Sequence, residues 1–371
     1  MRPTSLPGFK LFENKYVVPE DCELARSKKP FSNLRNRYSR QTMFRGIGDE
    51  GQAKLSRSCA VIIVCGALGS NIATFLVRAG VGKIRIIDRD FIEYHNLQRQ
   101  TLFDEDDITD QLPKAVAAER HLKRINSTID IEGIVADVNY TNAERFCSGA
   151  DVILDGLDNF EGRFLINDVA LKQKTPWIYG GAIGSTGMTM TIIPGKTACL
   201  RCIISDLPDS VTLPTCETAG VLNTTPALIG SLQATEALKI LVNAEVSRGL
   251  TMVDVWKGTF DLIKTECHPD CPACYGRYDF LEKTFKVQAT SLCGQTRAVQ
   301  VVDASVTEIS FSQLASRLRS YSSVSEDDHA LRFRIDDYEI TVFQDGRAII
   351  KNTTNESLAK ELYDQYVKRL T

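Results

Sequence analysis

Cys59-Ala60-Val61-Ile62-Ile63-Val64-Cys65-Gly66-Ala67-Leu68-Gly69 decides the fold. Its first six residues are apolar and dense in β-branched side chains, the composition of a short strand buried on both faces. Gly66 and Gly69 turn the chain, and Leu68, Ile72, Phe75 and Leu76 then recur at helical spacing. Gly80-Val81-Gly82 stops that helix, and Lys83-Ile84-Arg85-Ile86-Ile87-Asp88 follows as a second strand. The result is a βαβ unit of about thirty residues.

The alternation continues outward. Helices are predicted over residues 38–55, 113–126 and 160–172, and strands over 129–138, 151–155 and 177–179. Strand–helix repetition of this kind gives a doubly wound, mostly parallel sheet, a Rossmann-like α/β fold. A β-rich segment (188–194) leads into an irregular stretch at 195–222, then a helix over 226–242 and strands over 250–256 and 259–265. Loops as long as 195–222 are usually functional or ordered by metal. The pairs Cys199-Leu200-Arg201-Cys202 and Cys271-Pro272-Ala273-Cys274 bracket this part of the chain. Four thiolates close a tetrahedral zinc shell and leave no open position for a substrate. The expected metal is therefore structural, a staple on the β-rich segment. Past Tyr275 the texture changes: strands at 299–303 and 331–351, a turn at Asp345-Gly346 and a helix at 356–369 form a small C-terminal α/β domain. The expected plan is an arm at 1–33, a main domain at 34–284 and the small domain at 285–371.

Composition narrows the function. The 371 residues are 43% hydrophobic and 25% charged, as in a soluble globular protein. A net charge of -3 argues against broad binding to nucleic acid. Eleven cysteines, an odd number with CxxC spacing, read as intracellular metal binding, not a disulfide framework. The first thirty residues lack the apolar core of a signal peptide, and no run is long enough to span a membrane. The expected location is the cytoplasm.

The turn after the first strand is a phosphate loop with one substitution. Val64 stands where a dinucleotide fingerprint has its first glycine, and a β-branched residue tolerates positive φ badly. Gly66 lets backbone N–H groups approach a phosphate, Gly69 lets helix pack on strand, and the helix N-terminus adds positive potential. Asp88 ends the second strand, where an acid binds ribose hydroxyls. Asp90, Asn96, Arg99 and Lys114 follow it. A triphosphate needs such cations and a nicotinamide dinucleotide does not, so an NAD-dependent oxidoreductase leaves Arg99, Lys114 and the cysteine pairs unexplained.

Arg37-Tyr38-Ser39-Arg40-Gln41, the glycine loop, Ile87-Asp88-x-Asp90, Asn96-Leu97-Gln98-Arg99-Gln100, Leu154-Asp155-x-x-Asp158-Asn159, both CxxC pairs and Ser231-Leu232-Gln233-Ala234-Thr235-Glu236-Ala237 together resemble the ThiF/MoeB adenylyltransferases, bacterial relatives of ubiquitin-activating enzymes. The resemblance covers about residues 33–280 and makes 34–284 an adenylation domain; the tail from Leu331 to Leu370 matches the C-terminal extension of some members more loosely.

That resemblance implies ATP-dependent adenylylation of the C-terminal glycine of a small ubiquitin-fold sulfur carrier ending in Gly-Gly, with release of pyrophosphate and later thiocarboxylate formation. It implies ATP, Mg2+ and a structural Zn2+, a homodimer, and a sulfur donor protein as a further partner, in thiamine, molybdopterin or a related pathway. Gly66, Gly69, Asp88, Asp90, Asn96, Arg99 and Lys114 become the nucleotide set. Arg99 and Lys114 contact the phosphates, Asp158 binds Mg2+, and Arg40 reaches the neighbouring subunit's phosphates. Cys216, in Pro214-Thr215-Cys216-Glu217, resembles a loop cysteine that bonds covalently to the activated carrier, and an exposed low-pKa thiol suits such a loop. Asp155 reads either as a partner behind the site or as a helix cap, and Arg163 as a residue facing the site. Cys267 competes as a zinc ligand, while Cys22, Cys59, Cys65, Cys147 and Cys293 read as packing residues. Val64 and Ala67 depart from the family's glycines, and Val64 favours a second reading: a catalytically silent subunit that binds a ubiquitin-like partner.

Overall fold

In the computed structural model, β1 (Cys59–Ile63) turns alternate side chains to opposite faces of the sheet. Ala60 and Ile62 enter one apolar cluster, Val61 and Ile63 another, and all four are fully buried. This two-sided burial is why the run is continuously apolar. The structure describes residues 37–206, 219–282, 287–292, 297–303, 306, 309–327 and 329–369. The predicted arm and Cys216 lie outside them.

Two short helices open the described chain, α1 (Ser39–Thr42) and α2 (Gly48–Leu55). The single helix expected over 38–55 is thus broken, because Gly48 takes φ +60 and a Cβ on Gly46 would stand 2.6 Å from the Phe44 ring. After β1 come α3 (Ala67–Ala79), β2 (Lys83–Asp88), α4 (Tyr94–Leu97), α5 (Glu105–Thr109), α6 (Lys114–Ile125), β3 (Asp130–Val135), α7 (Ala143–Cys147), β4 (Val152–Asp155) and α8 (Phe160–Gln173). Then follow β5 (Trp177–Ile183), β6 (Thr186–Ile192), α9 (Leu200–Ile203), α10 (Thr224–Val242), β7 (Leu250–Asp254) and β8 (Thr259–Ile263).

The first eight strands form one sheet in the order β3-β2-β1-β4-β5-β6-β7-β8. β3 through β5 in that order are parallel, and β5 to β8 are antiparallel. Helices α3, α6 and α10 cover one face through Ile72, Leu76, Leu122, Ile229 and Ala237; α7 and α8 cover the other through Phe146, Phe164 and Val169. The strand order reverses at β1, whose neighbours are β2 and β4, so their C-terminal ends border a crevice where ligands bind in such sheets.

A second sheet holds β9 (Val287–Leu292), β10 (Ala298–Asp303), β11 (Val324–Glu326), β12 (Leu331–Ile335), β13 (Tyr338–Val342) and β14 (Ala348–Lys351), in the order β11-β12-β13-β14-β10-β9. All its pairings are antiparallel, so this small domain is hairpin-built rather than wound from βαβ units. Gly346, φ +83, makes the expected turn between β13 and β14. Helices α11 (Phe311–Leu318) and α12 (Glu356–Tyr363) close a core around Leu314, Phe333, Ile340 and Tyr363.

Candidate active site

The phosphate loop leaves β1 through Val64, which has φ +70. A valine here is strained, and neighbouring structure holds it. Its N–H donates to the Ile87 carbonyl at 2.8 Å, and its half-buried side chain packs against the cluster around Phe164. A Cβ on Gly69 would stand 2.1 Å from the Val64 carbonyl oxygen, so only glycine lets α3 approach the strand this closely. Gly66 is different. It caps α3, and a Cβ there would meet no described atom closer than 3.8 Å. Nothing in the fold itself requires a glycine at 66, which fits a position reserved for close approach of a ligand to the backbone.

Asp88 stands beside the loop, 1% exposed. Its carboxylate accepts the Cys65 N–H at 2.7 Å and the Asp90 N–H at 2.8 Å, tying the end of β2 to the phosphate loop. Burial pushes its pKa up to about 6, against the pull of Lys114. Lys114 begins α6, with its side chain only 7% exposed. Its Nζ lies 3.2 Å from Asp90 Oδ2, and its N–H donates to the Asp90 carbonyl at 2.8 Å. Burial works against the Lys114 charge, but Asp90 and Asp88 outweigh it and raise its pKa. Burial likewise opposes the Asp90 charge, and Lys114 and Arg89 overcome it, holding Asp90 at about 2.

Arg89, between the two acids, was not singled out from the sequence. Its Nη1 donates to Asp137 Oδ1 at 2.8 Å, and Nε lies 3.5 Å from Asp90 Oδ1. A cation flanked by two strand-end acids was the available signal. Arg99 is half-buried and donates to the His95 carbonyl at 2.7 Å. Asn96 is buried, and its Oδ1 accepts the Glu93 N–H as half of the capping box of α4. Gln100, also buried, lies close to the Gly66 backbone, and its Oε1 has no hydrogen-bond partner among the described residues.

Asp158 is exposed on the loop after β4, with Oδ1 accepting from Asn159 Nδ2 at 3.1 Å. It is near enough to raise the pKa values of Lys114, Arg89 and Arg163. Of the two readings of Asp155, the helix cap does not hold. Asn159, not Asp155, caps α8. Asp155 is fully buried and pairs with Arg163 Nε at 3.2 Å. Arg163 also donates to the carbonyls of Leu157 at 2.7 Å and Gly180 at 2.9 Å, and the buried carboxylate demands such a cation beside it. Behind this pair Gln233 Nε2 donates to the Asp155 carbonyl at 2.9 Å. Arg40 is exposed on α1, its Nη1 3.8 Å from Met43 Sδ, and nothing places it at this chain's own crevice.

Away from the crevice, Cys199, Cys202, Cys271 and Cys274 converge. Sulfur–sulfur distances are 3.7 Å (Cys199–Cys202) and 3.6 Å (Cys199–Cys271, Cys202–Cys274 and Cys199–Cys274). A tetrahedron with Zn–S bonds of about 2.3 Å has edges of about 3.8 Å, whereas a disulfide would need about 2.05 Å. The four sulfurs thus fit zinc. Cys267 is exposed and stands outside the group. Cys65 and Cys147 are buried packing residues; burial pushes the Cys147 thiol up to about 12.

Residues 38–273 match the ThiF family. The chain is 40% identical over 338 residues to the sulfur carrier protein ThiS adenylyltransferase of Bacillus subtilis, covering 90% of this chain and 100% of that one. It is 34% identical over 260 residues to the SAMP-activating enzyme E1 of Haloferax volcanii, covering 69% and 95%. A solved structure of E. coli MccB with ATP has a TM-score of 0.57 at 25% identity, over 66% of this chain and 76% of that one. With its phosphate loop, strand-end acids and cations on a doubly wound sheet, the chain belongs to the ThiF family of adenylyltransferases.

Proposed function

We propose that this protein uses ATP to adenylylate the C-terminal glycine of a small ubiquitin-fold sulfur carrier of the ThiS type. The observation that carries the reading is the pair of buried Lys114 and half-buried Asp90 at the phosphate loop, with Arg89 beside it and Asp158 near. The nucleophile is a carboxylate, ionised near neutral pH, so no general base is needed. Its oxygen attacks the α-phosphorus, the bond to the bridging oxygen of the β-phosphate breaks, and pyrophosphate leaves with that electron pair. The obstacle is anion meeting polyanion, which calls for positioning and fixed positive charge. Lys114 and Arg99 supply the charge in this chain, and Arg40 supplies it to the neighbouring subunit of a homodimer. Asp158 is the acid that would hold Mg2+, an ion whose chemistry here is charge neutralisation on the phosphates. Asp88 orders the loop and takes the ribose; the Cys216 thiolate then attacks the acyl-adenylate carbonyl, AMP leaves, and the resulting thioester awaits sulfur from a donor protein.

Support for the ThiS-type carrier comes from the relative of that name, matched over its whole length. Among the described residues no helix is long and apolar enough to cross a membrane, in keeping with action on a soluble carrier in the cytoplasm. The silent-subunit reading rested on Val64, and that residue adopts the turn a glycine would make. ATP–pyrophosphate exchange tests the proposal. Exchange that appears only with a Gly-Gly-terminated carrier is the expected outcome; none with any ThiS- or MoaD-like carrier, despite tight carrier binding, would return the silent-subunit reading.

A further inference from the structure

The small C-terminal domain meets the main domain at the loop after β2 (residues 89–91), the nucleotide loop, which is part of the proposed nucleotide site. Arg347, just before β14, is 1% exposed and lies with its guanidinium carbon 3.5 Å from the centroid of the Phe343 ring. Its Nη2 donates to the Arg89 carbonyl at 3.0 Å. The contact widens around that bond. Phe343 and Phe91 have ring centroids 5.9 Å apart, and Arg332 lies 5.1 Å from the Phe91 ring. Gln300 Nε2 donates to Asp137 at 3.2 Å, the carboxylate that also holds Arg89. Phe91 in turn bridges to Pro113, the residue before Lys114.

Burying a guanidinium is costly unless its donors are matched. Nε and Nη1 of Arg347 make no hydrogen bond among the described residues, and Asp345 Oδ2 stands 3.8 Å from Nε. An apolar side chain would fill the same space over Phe343. What the arginine adds is a charged donor, and the hydrogen bond it makes goes to the nucleotide loop of the other domain.

We propose that Arg347 is a positioning residue of the adenylation site. It fixes the turn at Arg89, and with it the Asp90–Lys114 pair, so the C-terminal domain is coupled to nucleotide binding. The proposal rests on the adenylation reading above, but its readout is ATP affinity and needs no carrier.

The test titrates the full-length protein with Mg·ATP by calorimetry. Arg347→Met keeps the packing over Phe343 and removes the donor; ATP Kd should rise about tenfold, the order of one charge-assisted hydrogen bond. Arg347→Lys, which keeps a charged donor, should recover much of that loss. An Arg347→Met Kd within twofold of wild type would overturn the proposal and leave Arg347 a structural contact. Amide hydrogen exchange on the wild type gives a second decision if the variant does not fold. By reciprocity, ATP should slow exchange at residues 343–347 as well as at 64–69 and 88–91; protection confined to the main domain would overturn the coupling. Wild-type protein that binds ATP but exchanges pyrophosphate with no carrier sinks only the carrier assignment, whereas failure to bind ATP sinks both.

Discussion

At the cluster of Cys199, Cys202, Cys271 and Cys274 all four side chains are alike, and sulfur faces sulfur at metal-holding distances without strain to explain. At the C-terminal edge of β1 and β2 no two neighbours are alike: a valine sits at positive φ, and a buried lysine stands between two acids whose pKa values are pushed in opposite directions. The first region is complete in itself once a single ion is added. The second is held together by opposed charges and by contacts from a distant part of the chain. Identical ligands suit a structural metal, and divergent environments suit the proposed chemistry.

The comparison can be broken at either end. The largest effect is expected at the cysteines. Purified protein should carry about one zinc per chain, and Cys271→Ser should lose it, with a fall in melting temperature of more than about 10 °C. Zinc loss measured by elemental analysis without a fall in melting temperature would remove the staple from the account. The smaller effect is at Asp88. Its folded pKa of about 6 lies above the ordinary 3.8, so the folded state binds the proton more tightly than the unfolded one. Its contribution to stability is therefore full below about 4 and lost as pH rises through about 6. With the ribose held, as proposed, by the ionised carboxylate, ATP affinity should weaken severalfold as pH falls below about 6, and Asp88→Asn should bind weakly with a flattened profile. A steep, unchanged profile in Asp88→Asn would assign the titration to another group.

Much of this was legible in the sequence where the signal is local. The β-branched run at 59–64 and the glycines at 66 and 69 encode β1 and its turn through composition alone, and β2 falls at Lys83–Asp88 as read. Paired CxxC spacing likewise announced the cysteine cluster. Helical spacing did not reveal the break between α1 and α2, because the glycines at 46 and 48 weigh less in a periodicity than the apolar residues around them. Nor could it orient Arg163, whose direction is set by the buried carboxylate of Asp155. The acids flanking Arg89 hint at it, but its bond to Asp137 and the Arg347 contact join residues far apart in the chain and have no local signature. What was missed is the set of long-range polar contacts that hold the site in place.

The central claim is that fixed positive charge at the phosphate loop lets one anion strike another. Carrier-dependent ATP–pyrophosphate exchange by Lys114→Ala tests it most directly, with zinc content and melting temperature checked alongside. The account predicts a loss of kcat/KM of about a hundredfold or more in a folded, zinc-loaded protein. Full exchange by that variant would contradict it.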